Sequence, residues 1–359
     1  MKRQEANGSG LLRWGELKFD ALLVSGLPNV RYVSGFTGSN GLVLLTPDSM
    51  TLFTDPRYGI QAVEESGARG NVVVAKGPLM NAAAQVIKRK RIKRVGFEKA
   101  RLSYEAWQLL KETLPLGVNL RPAGALIEER RMVKTPEEIE RIRRSVRINS
   151  EAFTAAVKKM RPGISEADVA AEIEYQMRRR GAEKPSFDTI VAFGARTALP
   201  HAQPTAQRLG NHELVLIDMG ATQEGYASDM TRMVFLGKPA ADARRMYDAV
   251  LEAQLAAIDA VREGVTAERV DRAARQRLKS RGLDKAFVHS TGHGLGLEIH
   301  EPPRLGKKDK TELRAGMVVT IEPGVYVKGA GGVRIEDTVL VTERGCEILT
   351  PTSKELMVL

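Results

Sequence analysis

The sequence predicts an α+β protein in two parts: a small α/β domain over residues 1–130 and a larger α+β domain over residues 131–359. Three observations carry this expectation. The chain has 359 residues, enough for about two domains at roughly 150 residues each. Short β-branched runs alternate with helical patterns in the first part, whereas in the second part helices come in pairs between groups of longer apolar strands. A long helix with a full start signal opens just beyond residue 130.

In the first part, residues 21–25, 41–46, 50–55, 71–75 and 94–98 read as strands, with helical patterns near 58–66, 78–90 and 103–113. Thr135 then stands as an N-cap, Pro136 occupies the first helical position and Glu138 completes a capping box. Ile139, Ile142, Val146 and Ile148 carry the apolar stripe of a helix running to about Met160, where Pro162-Gly163 stops it. Ser165 with Asp168 caps a second helix. Strands are expected at 188–194, 213–221, 230–237, 315–327 and 332–342, interrupted by helices at about 239–263 and 266–281.

Composition narrows the class. Hydrophobic residues make up 43% and charged residues 28%, which suits a globular protein and is too apolar for a disordered one. The single cysteine, Cys346, excludes an intramolecular disulfide and fits a reducing compartment. No stretch approaches the ~18 apolar residues of a membrane span, and the first twenty residues lack the apolar core of a secretory leader. A soluble cytoplasmic protein without membrane association is expected.

The net charge of +11 raises nucleic acid as a partner. Its excess sits mainly in residues 1–130, with 19 Lys and Arg against 12 Asp and Glu, and is concentrated from Lys88 to Arg94. That run reads as a solvated helix end, where cations suit the dipole. No aromatic interleaves it to stack bases. Nucleic acid is therefore not the expected partner.

The chemistry lies in acids and histidines. Asp218 ends the apolar run LVLID, Asp229 opens the next strand in SDMTR, Glu322 in TIEPG stands at a strand end where MVVTI gives way to Pro323-Gly324, and Glu336 lies in VRIED. A buried carboxylate without a cation is costly, so four of them in apolar strands suggest a metal. Strand alternation puts Arg334 on the same face as Glu336. Three of five histidines, His289, His293 and His300, fall in HSTGHGLGLEIHE, and His201 follows Ala-Leu-Pro; His212 reads as surface. The pair His289 and His293 invites a helical zinc site. Ser290 stands where the base would be, however, and Gly292, Gly294 and Gly296 argue for an extended stretch that brings backbone close to a ligand. Those glycines match no phosphate-binding fingerprint. Four carboxylates and one imidazole favour Mn²⁺ or Co²⁺ over a thiolate site, and their charge suits two dications and hydrolysis.

The ordered set Asp218, Asp229, His293, Glu322 and Glu336, in the contexts IDMG, SDMTR, GHGLG, IEPG and VRIED, resembles the pita-bread metallopeptidases, which include methionine aminopeptidase, aminopeptidase P and prolidase. The resemblance spans residues ~131–359. It implies a pita-bread catalytic domain holding two divalent metals, most simply Mn²⁺ with Co²⁺ or Zn²⁺ as alternatives. By that resemblance Asp218 is a bidentate ligand, Asp229 and Glu336 bridge, His293 is the imidazole ligand, and Glu322 is a ligand that doubles as proton shuttle. The segment RYVSGFTGSNG, continuing to LFTDPRYGIQA, resembles the creatinase-like N-terminal domain of Xaa-Pro aminopeptidases. His201, His289, His300 and Arg334 match positions lining the substrate pocket there. The resemblance thus implies cleavage before proline in proline-containing peptides, with His300 or His201 steadying the oxyanion, and a homodimer. It puts Xaa-Pro aminopeptidase first, prolidase second, and a non-catalytic binding protein third.

Overall fold

The computed structural model describes residues 11–359; residues 1–10, half of the stretch read above as lacking a leader, lie outside them. The chain divides into two compact units between Arg131 and Met132. Among the described residues no helix is long and apolar enough to cross a membrane.

The first unit is built on a six-stranded mixed sheet: β1 (Ala21–Val24), β2 (Gly41–Thr46), β3 (Ser49–Thr54), β4 (Asn71–Val74), β5 (Arg94–Glu98) and β6 (Asn119–Ala123), in the order β4-β3-β2-β1-β5-β6. Side-chain alternation feeds two cores. Leu22, Val24, Val43, Leu45 and Leu52 join one with helices α1 (Leu27–Ser34) and α2 (Gly59–Ser66). Ala21, Leu23, Leu42, Leu44 and Phe53 join the other with α3 (Leu79–Arg89) and α4 (Tyr104–Thr113). Both faces are covered, which is why these strands read as unbroken apolar runs. The basic run is not one helix end. Only Lys88 and Arg89 lie in the last turn of α3, Arg91 turns the chain with φ 54°, and Arg94 opens β5, paired to Asp20 at 2.6 Å. β6 escaped the sequence because it is polar and carries Pro122, which an edge strand tolerates. A short helix, α5 (Leu126–Met132), reaches the division between the units.

The second unit opens with α6 (Pro136–Val157) and α7 (Glu166–Arg179), and both predicted capping boxes form, Thr135 with Glu138 and Ser165 with Asp168. The stripe of α6 serves two cores in succession: Ile142 and Val146 face one, Phe153, Ala156 and Val157 another. Strands β7 (Lys184–Pro185), β8 (Ile190–Phe193), β9 (Glu213–Met219), β10 (Ala221–Gln223), β11 (Tyr226–Ala227) and β12 (Met230–Leu236) follow. After α8 (Ala241–Ala260) and α9 (Ala267–Ser280) come β13 (Gly292–Gly294), β14 (Glu301–Leu305), β15 (Val318–Ile321), β16 (Gly324–Val327), β17 (Gly331–Arg334), β18 (Asp337–Val341), β19 (Cys346–Ile348) and β20 (Met357–Val358). Two sheets carry the architecture, β20-β12-β9-β8 and β14-β13-β15-β18-β19. Alternation along β9 splits Leu214 and Leu216 toward the core of α8 and α9 from Val215, Ile217 and Met219 toward that of α6 and α7. This is α+β packing, with helix pairs against antiparallel sheets.

Two expected long strands are each broken. The stretch 315–327 divides between β15 and β16 at Glu322-Pro323, where proline has no N–H to continue the ladder, and 332–342 divides between β17 and β18 at Ile335-Glu336. Each break carries one of the singled-out acids.

Candidate metal centre

Two antiparallel ladders end at the same place. In the first, Met219 of β9 pairs with Met230 of β12, so Asp218 and Asp229 lie at one end of that ladder. In the second, Ile321 of β15 pairs with Asp337 of β18, which sets Glu322 and Glu336 at its end. The amide of Glu336 donates to the carbonyl of Thr231 on β12 at 3.2 Å, joining the two ends. β13 adds His293. It is extended, as the glycines predicted, but their purpose differs from the expected approach to a ligand. A Cβ on Gly292 would sit 1.9 Å from the Thr320 carbonyl oxygen and one on Gly294 2.3 Å from that of Pro302, so the glycines let neighbouring strands close on the histidine strand.

The five residues converge. His293 Nε2 lies 3.5 Å from Asp229 Oδ2 and 3.3 Å from Glu322 Oε1. Ligand atoms of Asp229, His293 and Glu336 all lie within 4.8 Å of one another. Asp218 joins through Arg334, whose Nη2 donates to Asp218 Oδ2 at 2.6 Å. Asp218, Asp229, His293 and Glu336 are buried, while Glu322 keeps 16% of its side chain exposed.

The donor set fits a cation. Among the described residues, four carboxylates face one buried cation, Arg334. Burial first, then the neighbouring carboxylates, push the Asp229 and Glu336 carboxyls well above their usual range. Burial pushes Glu322 up to about 7 against the pull of Arg334. Asp218 Oδ1 and Glu336 Oε1 are buried with no hydrogen-bond partner among the described residues. His293 Nδ1 faces the Gly294 carbonyl at 3.0 Å and so donates there, which leaves the Nε2 lone pair turned toward carboxylate oxygens. A lone pair aimed at carboxylates is repulsive unless a proton or a metal stands between them, and this tautomer is the one a metal ligand needs. Asp218, Asp229, His293, Glu322 and Glu336 could hold the divalent ions.

Supporting residues complete the centre, and several were not singled out from sequence. Thr231 Oγ1 donates to Glu336 Oε2 at 2.8 Å and accepts from Arg334 Nε at 3.0 Å. Thr320 Oγ1 donates to Glu322 Oε1 at 3.2 Å and accepts from the His293 amide at 3.1 Å. Both threonines stand two positions from an acid on a strand, a spacing that would have marked them. Tyr326 gave no such signal. Its hydroxyl accepts from Arg334 Nη1 at 2.6 Å and meets His289 Nε2 at 2.9 Å.

The centre opens into a cavity of about 800 Å³ whose walls include His201, His289, His300, Arg334 and Arg304. The structure thus brings every site residue expected from sequence to one cavity. His212, read as surface, does not line it. His289 and Arg334 are heavily committed to protein partners. His289 Nδ1 meets the Ser290 carbonyl at 2.8 Å, and burial pushes its pKa down to about 4. Arg334 also donates to the Pro200 carbonyl at 3.2 Å. His300 stacks edge-on to His293 with ring centroids 4.4 Å apart. Its loop is braced by Glu301, which accepts from the Glu298 amide at 3.0 Å and pairs with buried Lys134 at 3.4 Å. The loop of His201 is braced by Glu166, fully buried, which accepts from the Phe193 and Thr205 amides, each at 2.9 Å, and from Arg196.

Comparison with known proteins agrees with this geometry. Residues 140–343 match metallopeptidase family M24, and residues 13–133 match the Creatinase/Prolidase N-terminal domain. The chain is 40% identical over 339 residues to a protein of Pyrococcus horikoshii named Xaa-Pro dipeptidase, covering 94% of each. Among solved structures it is similar to an Xaa-Pro dipeptidase from Bacillus anthracis, at a TM-score of 0.95 and 37% identity over 98% of this chain and 99% of that one. It is also similar to an X-Pro aminopeptidase from Thermotoga maritima, at a TM-score of 0.87 and 36% identity over 96% and 98%. With its pita-bread catalytic unit and creatinase-type N-terminal unit, the chain belongs to metallopeptidase family M24.

Proposed function

We propose that this hydrolase is a prolidase, cleaving Xaa-Pro dipeptides at a centre of two divalent metals held by Asp218, Asp229, His293, Glu322 and Glu336. This reverses the order expected from sequence, which put aminopeptidase first. Two findings support the reversal. Relatives similar over nearly their whole length, by sequence and by structure, carry the name Xaa-Pro dipeptidase. The cavity also has a cation at its wall in Arg304, whose guanidinium makes no hydrogen bond or ion pair among the described residues. That observation carries the reading, because a dipeptide ends in a carboxylate within reach of the bond to be cut, and arginine binds carboxylates in a two-pronged fork. The aminopeptidase reading stands second, on the likeness to the T. maritima enzyme.

The bond before proline is a tertiary amide without an N–H, so an enzyme that acts there must grip other groups. Bound divalent ions, most simply Mn²⁺, would supply a Lewis acid for the carbonyl and a water of lowered pKa. The chain's own residues do the rest. Glu322 Oε1 is engaged by Thr320, which leaves Oε2 to take a proton from the attacking water and give it to the departing proline nitrogen. His300, or His201 across the cavity, donates to the oxyanion of the tetrahedral state. Arg334 and His289, locked by Tyr326 and Asp218, hold the walls. The reading keeps a homodimer in a reducing cytoplasm; Cys346 is a free thiol.

The test compares Ala-Pro, Ala-Pro-Ala and Ala-Pro amide with added Mn²⁺. Ala-Pro should exceed the other two in kcat/KM by at least about tenfold, a difference of ~1.4 kcal/mol. Arg304→Ala should abolish that preference through KM. Equal or faster cleavage of the tripeptide would return the assignment to aminopeptidase. Full activity after exhaustive chelation would remove the metallopeptidase mechanism.

A further inference from the structure

A second cavity of about 470 Å³, sharing no lining residue with the first, lies along α6 between the end of α7 and the segment at 351–352. Arg147, Lys158 and Arg180 line it with one acid, Glu151, which leaves a net of two positive charges. Arg180 is partly committed, lying 3.6 Å from Glu151 and donating to Gln176. Arg147 and Lys158 make no hydrogen bond or ion pair among the described residues. Ser150 and Thr352 also line the cavity, and the hydroxyl oxygens of both are buried without a hydrogen-bond partner among the described residues. Ser150 is 6% exposed. Buried polar groups are nearly always satisfied, so two orphaned hydroxyls beside two uncommitted cations call for a missing acceptor.

We propose that this cavity binds a phosphate group. The charge matches a phosphate dianion. Two hydroxyl donors and three cationic side chains exceed what the two oxygens of a carboxylate accept in one plane, whereas a tetrahedral phosphate presents acceptors on every side. The site also reaches the catalytic unit's centre through one side chain. The Thr352 carbonyl accepts from Arg232 Nη2 at 2.6 Å, and Nη1 of the same guanidinium donates to the Glu336 carbonyl. A ligand on Thr352 therefore bears on the corner that carries Glu336.

The experiment is calorimetric titration of the metal-loaded full chain with inorganic phosphate and, separately, glycerol phosphate. Saturable binding with a Kd below about 1 mM is expected. It should weaken at least tenfold in the double variant Arg147→Glu, Lys158→Glu and severalfold in Ser150→Ala, with dipeptide hydrolysis in phosphate-free buffer unchanged in both. Tighter binding of glycerol phosphate assigns the remaining volume to the body of a phosphomonoester, and equal binding assigns the site to free phosphate; both support it. Absence of saturable binding, or equal affinity in wild type and both variants, overturns it. The equal-affinity result would place the anion at the metal centre instead.

Discussion

Thr231→Val removes one oxygen from the centre and little else. Thr231 is fully buried on β12, and valine keeps its branched shape on a strand. The hydroxyl serves two charged groups at once, Glu336 Oε2 at 2.8 Å and Arg334 Nε at 3.0 Å. Hydrogen bonds to charged groups are worth about 1.5–3 kcal/mol each. Because Arg334 has three other partners, most of the loss should fall on Glu336, whose other oxygen already lacks a protein donor. One such bond corresponds to roughly one to two decades in metal affinity, the range usual for residues that orient a metal ligand. The assay is calorimetric titration of chelator-stripped protein with Mn²⁺, alongside thermal unfolding of the same sample. Thr231→Ser should restore most of the affinity, since it restores the hydroxyl. If Thr231→Val binds Mn²⁺ within twofold of wild type while unfolding normally, Thr231 does not orient Glu336 and the proposed ligand role of Glu336 is in doubt.

Two further outcomes follow from the same residues. Glu322→Gln keeps one oxygen donor but cannot move a proton, so kcat on Ala-Pro should fall by roughly 10²–10⁴; near-normal turnover with both metals counted in the same sample would pass the proton to His300. The second concerns pH. Asp229, Glu336 and Glu322 are raised above the usual carboxylate range by burial, Glu322 to about 7. An acid raised by folding contributes stability below its unfolded pKa of roughly 4 and loses it as pH climbs through the folded value. The metal-free protein therefore loses the Glu322 contribution between about pH 4 and pH 7, and those of Asp229 and Glu336 as pH climbs through their own raised values, whereas bound Mn²⁺ replaces the protons. The rise in Tm on adding Mn²⁺ should be larger at pH 7.5 than at pH 5, and an equal rise at both would refute the shared titration.

Legibility followed the physics of each residue. Strands covered on both faces, such as Leu22 to Val24 against Val43 to Leu45, announce themselves as apolar runs. Capping boxes are local and therefore visible. The edge strand β6 was not legible because it is polar, and the short helix α1 was not because two of the four residues on its buried face, Asn29 and Ser34, are polar and leave only Val30 and Val33 to mark the period. In the centre the acids stood out, since a carboxylate inside an apolar strand is anomalous by itself. Tyr326 and Arg232 did not, because their roles depend on partners far along the chain: Tyr326 meets His289 across 37 positions, and Arg232 meets Asp337 across 105. The break at Glu336 was misread as a continuous strand, whereas the strand end at Glu322 was legible in Pro323-Gly324, even though 315–327 also read as one apolar stretch.

Those breaks explain why the acids can be where they are. An acid in the middle of a ladder would point into one of the apolar cores, with no room for a cation beside it. At a ladder's end the backbone turns, as β15 gives way to β16 and β17 to β18, and the side chain leaves the core for the space between two sheets. Asp229 stands just before β12 for the same reason. The backbone around these corners is then fixed from behind: Arg232 is 2% exposed and pairs with Asp337 at 2.6 Å, which also accepts from Gln254 at 2.8 Å and from Lys354. This places a satisfied, buried ion network one residue from Glu336, whose Oε1 has no hydrogen-bond partner among the described residues. Asp337 is held below its usual range by Arg232 and Lys354 despite its burial, while Glu336 beside it is pushed far above. Adjacent acids with opposite shifts divide the work. Asp337 anchors the corner whether or not metal is present, so Glu336 can keep Oε1 free for a cation without the strand end coming loose.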